Sequence, residues 1–178
     1  VLSYYPDGGA NIKSVLEIGP GHGFFCEHVL RRSPACSYSV IESDHSCRER
    51  LRTLGATVYE NLNKLDSWRG TFDLLVMSHV LEHSGDPFGF LDAAIGLLAP
   101  GGVVFIEVPC RDFEFKEEDE PHLVFFDKAS LQRLFERLGL CNLRLSYHGK
   151  EIHRIKKESR ISAFAERLAR TVSRRTGM

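Results

Sequence analysis

Short apolar runs alternate with stretches of helical periodicity along most of the chain. The apolar runs are nearly continuous, as is typical of strands covered on both faces. The predicted strands are residues 14–18, 38–41, 56–59, 72–77, 103–108 and 143–147. The predicted helices are residues 24–32, 46–54 and 86–98, and a fourth that begins at Asp127 or Ser130 and ends near Leu138. This alternation predicts an α/β protein with three layers around one mostly parallel sheet.

Several helix ends carry their own signals. Asp86 and Pro87 suit a helix start, because Asp is a good cap and Pro fits the first helical position. Gly55 and Gly139 follow predicted helices at the position where glycine commonly ends them.

Composition places the chain among ordinary globular proteins. Its 178 residues are enough for one domain with one sizeable core, and 43% are hydrophobic. We find no apolar run of roughly 20 residues that could span a bilayer and no signal peptide, so we expect a cytoplasmic protein. The chain starts at Val1 and stops in a basic stretch, so we expect a piece of a longer protein. Five scattered cysteines without a C-x-x-C pair favour free thiols over a disulfide framework or a zinc site.

Charge is unevenly distributed. Residues 148–178 carry nine Lys or Arg and three Glu, so this segment has a net charge of +6 and the rest of the chain −7. The acidic body argues against nucleic acid as its partner. Apolar residues from Ile161 to Val172 recur at helical spacing, which predicts an amphipathic helix from about Ser159. That helix either packs on the protein or binds a membrane surface or partner. We therefore divide the chain into a domain over 1–147 and a basic segment over 148–178.

A glycine-rich loop follows the first predicted strand. Gly19, Gly21 and Gly23 lie between that strand and the first helix, where backbone N–H groups can face a ligand. Glycine is needed there because a Cβ would collide with the ligand or forbid the turn. Dinucleotide enzymes use G-x-G-x-x-G, but here Phe24 stands where the third glycine would be, which disfavours a nicotinamide dehydrogenase.

Two carboxylates end the first two strands. Glu17 precedes the glycines, and Glu42 lies 21 residues beyond Gly21, about the spacing at which wound folds place an acid for ribose hydroxyls. A carboxylate that accepts both hydroxyls makes charge-assisted bonds that a neutral side chain cannot match. A solvated strand-end acid is the alternative for Glu42.

Four motifs together resemble class I S-adenosylmethionine-dependent methyltransferases. Residues 15–23 (VLEIGPGHG) resemble the first motif of this family. Residues 72–87, which contain SHVLEH and a later DP, resemble its fourth-strand motif. Residues 98–109 resemble its fifth-strand motif. Residues 120–131, with EPHL, are similar to a subgroup of ubiquinone-pathway and sugar methyltransferases. The resemblance covers residues 14–147 and implies S-adenosylmethionine as cofactor. The family's last hairpin strand is not recognisable, so we expect a sheet that lacks it.

The resemblance also implies roles for individual residues. The glycines would underlie the methionine part of the cofactor, with Glu17 near its amino group and Glu42 on its ribose. The cofactor-binding residues that the resemblance implies are Glu17, Gly19, Pro20, Gly21, Gly23, Glu42, Ser43, Asn61 and Ser78. The product of transfer would be S-adenosylhomocysteine.

His79 is the candidate catalytic residue. Direct methyl displacement needs mainly an aligned nucleophile, and a base only when the acceptor must lose a proton. His79 follows the fourth strand, and its ordinary pKa of about 6.5 suits a base. A purely structural histidine is the alternative.

A metal site is the second interpretation of this region. On a helix, His79 and His83 would lie one turn apart with Glu82 beside them, and His122 could join them. Small-RNA 3′-end methyltransferases bind a divalent ion through a similar Glu-x-x-Glu-His pattern and a later His, but His79 replaces the first Glu. We expect no metal here and assign His83 to capping and anchoring.

The sequence therefore predicts methyl transfer from S-adenosylmethionine to an oxygen, carbon or nitrogen of a small-molecule acceptor. An RNA methyltransferase is a rival, although it would need a basic face near the cofactor. A binding protein that keeps the fold without catalysis is another, which degraded glycines or a lost Glu42 would favour. The oligomeric state is not readable from the sequence.

Overall fold

The computed structural model describes residues 12–110 and 122–147. The strands are β1 (Ser14–Ile18), β2 (Ser37–Ile41), β3 (Thr57–Tyr59), β4 (Phe72–Ser78) and β5 (Leu98–Glu107). The helices are α1 (Phe24–Arg32), α2 (His45–Thr53), α3 (Pro87–Ile95) and α4 (Lys128–Arg137). Two 3₁₀ helices, Leu62–Trp68 and Leu81–His83, flank β4.

The sheet is parallel and wound in two directions. Its strand order is β3-β2-β1-β4-β5, and every neighbouring pair is parallel. The chain moves outward from β1 to β3 and then returns to the other side of β1 to add β4 and β5. In such sheets, ligands bind beyond the carboxyl ends of the strands where the order reverses. Here that point lies between β1 and β4.

Apolar side chains form a core on each face of the sheet. Leu16 and Ile18 of β1 pack with Leu91 of α3 and Phe135 of α4 on one face. Val15 of β1 packs on the other face, in the cluster that contains side chains of α1 and α2. The alternation of side chains along β1 thus serves two helical layers. The predicted three-layer α/β fold is confirmed.

Polar caps begin two of the helices as the sequence predicts. The Asp86 carboxylate accepts a hydrogen bond from the Gly89 N–H, and Pro87 occupies the first turn of α3. At α4, Asp127 is the cap and accepts from the Ser130 N–H, while the Ser130 hydroxyl accepts from the Asp127 N–H. Both candidate start residues therefore take part in one reciprocal capping box.

Three predicted elements differ from the structure. The helix predicted over 86–98 ends at Ile95, and β5 already begins at Leu98, before the glycines that we took as the helix stop. An irregularity between Phe72 and Leu74 lets Leu98 pair with Phe72 ahead of the regular register. The strand predicted over 143–147 is wrong, because these residues have no regular secondary structure. Leu143 and Leu145 nevertheless pack against the core, which explains their alternating pattern.

Some predictions concern residues outside those described. These are the amphipathic helix from Ser159 and the division between 1–147 and 148–178. All five cysteines are described and are free thiols; three are buried, and Cys141 is exposed. None of the described helices is both long and apolar enough to cross a bilayer.

Candidate cofactor and active site

The glycine loop links β1 to α1 through three residues with positive φ. Gly19, Gly21 and Gly23 have φ of 68°, 53° and 74°, a region that favours glycine. The Gly19 N–H donates to the Ile41 carbonyl, and the Gly23 N–H donates to the Pro20 carbonyl, each at 2.9 Å. Pro20 thus accepts the bond that closes the turn, and the loop is tied to the end of β2.

The three glycines face different surroundings: two are packed against apolar side chains, and one faces open space. A Cβ on Gly19 would lie 2.5 Å from Cγ2 of Val80, and one on Gly23 would lie 2.6 Å from Cδ2 of Leu51. A Cβ on Gly21 would meet no atom of the described residues within 4 Å. Gly19 and Gly23 are therefore needed for packing inside the protein. Gly21 instead borders open space at the carboxyl edge of the sheet.

Glu42 reaches from the end of β2 into this loop. Its Oε2 accepts a hydrogen bond from the Gly21 N–H at 2.9 Å, and its Oε1 accepts from the Asp44 N–H at 2.7 Å. The side chain is buried, with 6% exposure. Each carboxylate oxygen can accept a second hydrogen bond. Glu42 therefore braces the loop and keeps capacity for two further donors, such as vicinal hydroxyls.

Arg48 fixes the turn that holds Glu42, a role that the sequence did not reveal. Its guanidinium donates to the carbonyls of Glu42 and Ser43, each at 2.8 Å, and pairs with Glu60. Ser43 is exposed and contributes its carbonyl to this contact. The guanidinium thereby ties the turn after β2 to α2.

Glu17 lies buried beneath the loop and is paired with Tyr38. The Tyr38 hydroxyl donates to Oε2 of Glu17 at 2.7 Å. Burial raises the pKa of Glu17 to about 7; the Tyr38 hydrogen bond opposes this shift, and the charge of Glu42 adds to it. Burial also raises the pKa of Tyr38, and the adjacent Glu17 contributes to that shift. Glu17 can therefore exchange a proton near neutral pH, and a cation placed beside it would favour its ionised form.

The end of β4 lies next to the glycine loop. Val80 packs against Gly19, so the first residues after β4 contact the glycine loop. Ser78 donates its hydroxyl to Oε2 of Glu107, at the end of β5, at 2.9 Å. His79 has a φ of 55°, which is uncommon for a residue with a side chain, and its N–H donates to the Glu107 carbonyl. Such backbone strain is often found at functional sites.

Asn61 lies at the same edge, two residues past β3. It precedes the 3₁₀ helix Leu62–Trp68, and its carbonyl accepts from the Lys64 N–H. Asn61 is exposed, and its side chain does not cap that helix. The structure thus brings every predicted site residue to the carboxyl edge of the sheet, with direct contacts between Gly21 and Glu42 and between Gly19 and the turn after Ser78.

The histidine and glutamate cluster differs from its helical prediction. His79 is not helical, and Glu82 and His83 belong to a 3₁₀ helix, so His79 and His83 do not share a helix face. Ligand atoms of Glu82, His83 and His122 lie within 4.8 Å of one another. The two imidazole rings meet edge-on, with 4.9 Å between their centroids. These three residues could approach one ion, and the expectation of no metal stays a prediction.

Comparisons with known proteins indicate a family for this chain. Residues 5–145 match the model of a family described as a methyltransferase domain. Two curated relatives are ubiquinone biosynthesis O-methyltransferases. The protein from Psychrobacter cryohalolentis is 27% identical over 108 residues, which cover 56% of this chain and 42% of the relative. The protein from Neisseria meningitidis is 28% identical over 111 residues, which cover 57% of this chain and 47% of the relative.

A solved structure shares the fold. The S-adenosylmethionine-dependent methyltransferase from Archaeoglobus fulgidus superposes with a TM-score of 0.61 and 19% identity, covering 84% of this chain and 78% of that one. The chain matches less than half the length of the two curated relatives.

Proposed function

Because its match over residues 5–145 shows that the chain belongs to the methyltransferase domain family, we propose that it transfers a methyl group from S-adenosylmethionine to a hydroxyl oxygen of a small molecule. The observation that carries this proposal is an exposed histidine, His79, directly before Val80, whose side chain packs against Gly19 of the glycine loop. An exposed histidine at that place suits an acceptor that must lose a proton.

The residues of the loop fit the cofactor. Gly21 offers its open side to the cofactor, where any larger residue would project a Cβ. Glu42 uses its remaining acceptor capacity for the two ribose hydroxyls. Glu17, whose pKa burial raises to about 7, would hold the amino group, and that cation would favour the ionised form of Glu17. When bound, S-adenosylmethionine supplies a methyl group activated by a positively charged sulfur.

The chain itself contributes position and a proton acceptor. The acceptor oxygen would be held in line with the methyl–sulfur bond of bound S-adenosylmethionine, which would supply the methyl group and keep the electron pair of that bond on sulfur. His79 takes the hydroxyl proton on a ring nitrogen. Holding the two reactants in line supplies most of the acceleration, up to about 7–11 kcal/mol in well-oriented systems. Proton removal adds roughly a further 10²–10⁴-fold.

A small hydroxylated acceptor is favoured over the other classes. The acidic charge of residues 1–147 disfavours RNA, whose phosphates need cations. The glycines and Glu42 are intact, which disfavours a non-catalytic binding protein. The two curated relatives are named as O-methyltransferases, which supports oxygen over nitrogen or carbon.

The test uses cofactor with a labelled methyl group. The full-length protein that contains this chain is incubated with pools of phenols, alcohols, amines and carbon acids, and labelled products are identified. We expect label in a hydroxyl compound. With that acceptor, His79→Ala lowers kcat by at least about a hundredfold, while the Kd for S-adenosylhomocysteine changes less than about threefold.

His28→Ala is the matched control, because His28 is an exposed histidine on α1. Its kcat should equal that of the unmodified protein. Label in amines or carbon acids only would contradict the oxygen acceptor, and an unchanged kcat in His79→Ala would remove His79 as the base.

A further inference from the structure

Glu82 is a buried carboxylate that the proposed reaction has not yet used. It is 1% exposed, in the 3₁₀ helix that follows β4. Neither of its carboxylate oxygens accepts a hydrogen bond from any residue in 12–110 or 122–147. A buried carboxylate without a partner is strongly destabilising, so such a group normally has a dedicated partner.

His79 is a candidate for that partner. Its Nδ1 lies 3.3 Å from Oε1 of Glu82, and the two side chains are 60% and 2% exposed. The pair thus connects a carboxylate inside the protein to an imidazole that reaches the open edge of the sheet. The Nδ1–Oε1 distance is within reach of a hydrogen bond. Catalytic hydrogen bonds are often poorly aligned before the ligands bind.

The backbone around this pair is held from both sides. The His79 N–H donates to the Glu107 carbonyl, which fixes the left-handed turn. The Glu82 carbonyl accepts from the N–H groups of Leu123 and Val124 at 2.8 and 3.1 Å. Main-chain hydrogen bonds therefore hold the backbone of His79 and Glu82 in place. The Glu82 carboxylate takes no part in these bonds.

We propose that Glu82 is a positioning residue for His79: its carboxylate accepts the Nδ1–H of His79. The hydrogen bond selects the tautomer whose Nε2 carries the free lone pair, directed away from the buried acid toward the acceptor. This inference rests on the proposed role of His79 as base. It also explains a histidine in a strained conformation three residues before a buried glutamate.

A tautomer measurement tests the pair without any acceptor. The protein with ¹⁵N-labelled histidines, saturated with S-adenosylhomocysteine, is examined by two-dimensional NMR that reports the protonation of each ring nitrogen. The pH is kept near 8 in every sample, and a chelator removes stray metal. The His79 signals are assigned by their loss in His79→Ala. We expect the proton of His79 on Nδ1.

Two substitutions of Glu82 sharpen the result. Glu82→Leu removes the acceptor in a buried site that tolerates an apolar side chain, and His79 should change to the Nε2–H tautomer. Glu82→Gln retains an acceptor oxygen and should keep the Nδ1–H tautomer. His83→Ala, the matched control on the same 3₁₀ helix, should leave His79 unchanged. A proton on Nε2 in the unmodified protein, or no change in Glu82→Leu, would overturn the proposal.

Turnover separates this inference from the proposed function. If His79 acts as the base with help from Glu82, Glu82→Leu lowers kcat about tenfold or more in the unmodified background. In His79→Ala it lowers kcat by less than about twofold further, because interacting residues are not additive. Equal effects in both backgrounds would show a general structural role and refute positioning. An unaffected kcat in His79→Ala alone would instead refute the base, whatever tautomer the NMR shows.

Discussion

Glu17 is the residue whose environment has the clearest consequence for stability. Its pKa rises from 4.5 to about 7, chiefly through burial. Between these two values the folded state keeps a proton that the unfolded state has lost, so stability falls as the pH rises through that window. The loss is complete above pH 7 and amounts to about 3 kcal/mol for a shift of this size.

Glu17→Gln should remove that loss. The amide can still accept the Tyr38 hydrogen bond but does not ionise. We expect the variant and the unmodified protein to have similar free energies of unfolding near pH 4.5. Near pH 8 the variant should be more stable by up to about 3 kcal/mol. Urea denaturation at several pH values measures this difference, and parallel pH dependences for the two proteins would contradict it.

At single positions, the sequence revealed some site residues and concealed others. Glu17 and Glu42 were predictable because they end parallel strands, whose carboxyl ends meet at one edge. Glu107 ends β5 and satisfies the same rule, so it could have been found. Tyr38 could not, because its contact with Glu17 depends on the strand register that pairs Glu17 with Val40. Arg48 likewise reaches the strand end from a helix across a turn.

Among the elements, the β1–α1 loop is where an effect on stability can best be distinguished from an effect on ligand binding. Gly21 and Gly139 both have positive φ, 53° and 71°, and a Cβ on either would meet no described atom within 4 Å. Alanine at either position should cost about 1–2 kcal/mol of stability through backbone strain alone. Only Gly21→Ala projects into the proposed cofactor space, so only this variant should weaken S-adenosylhomocysteine binding, by at least about tenfold.

Thermal unfolding and calorimetry on the two variants check this expectation. Gly139 follows Leu138, the residue that caps the end of α4. Gly139→Ala therefore measures the cost of backbone strain at a position outside the proposed cofactor site. Equal affinity for S-adenosylhomocysteine in both variants would contradict the placement of the cofactor over Gly21.

Element boundaries were predictable where the hydrophobic pattern and the positions of Gly and Pro indicate the same boundary. The bounds of α1 match the prediction, and those of β1, β2 and β4 match within one residue. The start of β5 was missed because Pro100, Gly101 and Gly102 look like a break between elements, whereas the chain pairs with β4 on both sides of them. The pattern of residues 143–147 correctly indicated burial of one face. Alternation reports burial, however, and pairing with another strand is a separate condition.

At the scale of the whole molecule, the sheet and its two apolar layers determine where a ligand can bind. Two apolar layers fix the sheet, and the reversal of strand order opens its carboxyl edge for a ligand. The buried carboxylates of Glu17, Glu42 and Glu82 all lie at or next to that edge. The fold and the cofactor class were readable because four motifs occur in order, while the acceptor depends on surfaces that a motif does not encode.

Binding of S-adenosylhomocysteine tests the central claim most directly. Isothermal titration calorimetry should detect binding by the unmodified chain. Affinity should fall at least tenfold in Glu42→Ala, a loss of about 1.4 kcal/mol, because the carboxylate both braces Gly21 and accepts the ribose hydroxyls. Glu49→Ala, which removes an exposed glutamate from α2, should bind as the unmodified chain does. An absence of binding by the unmodified chain, or equal binding by Glu42→Ala, would contradict the account.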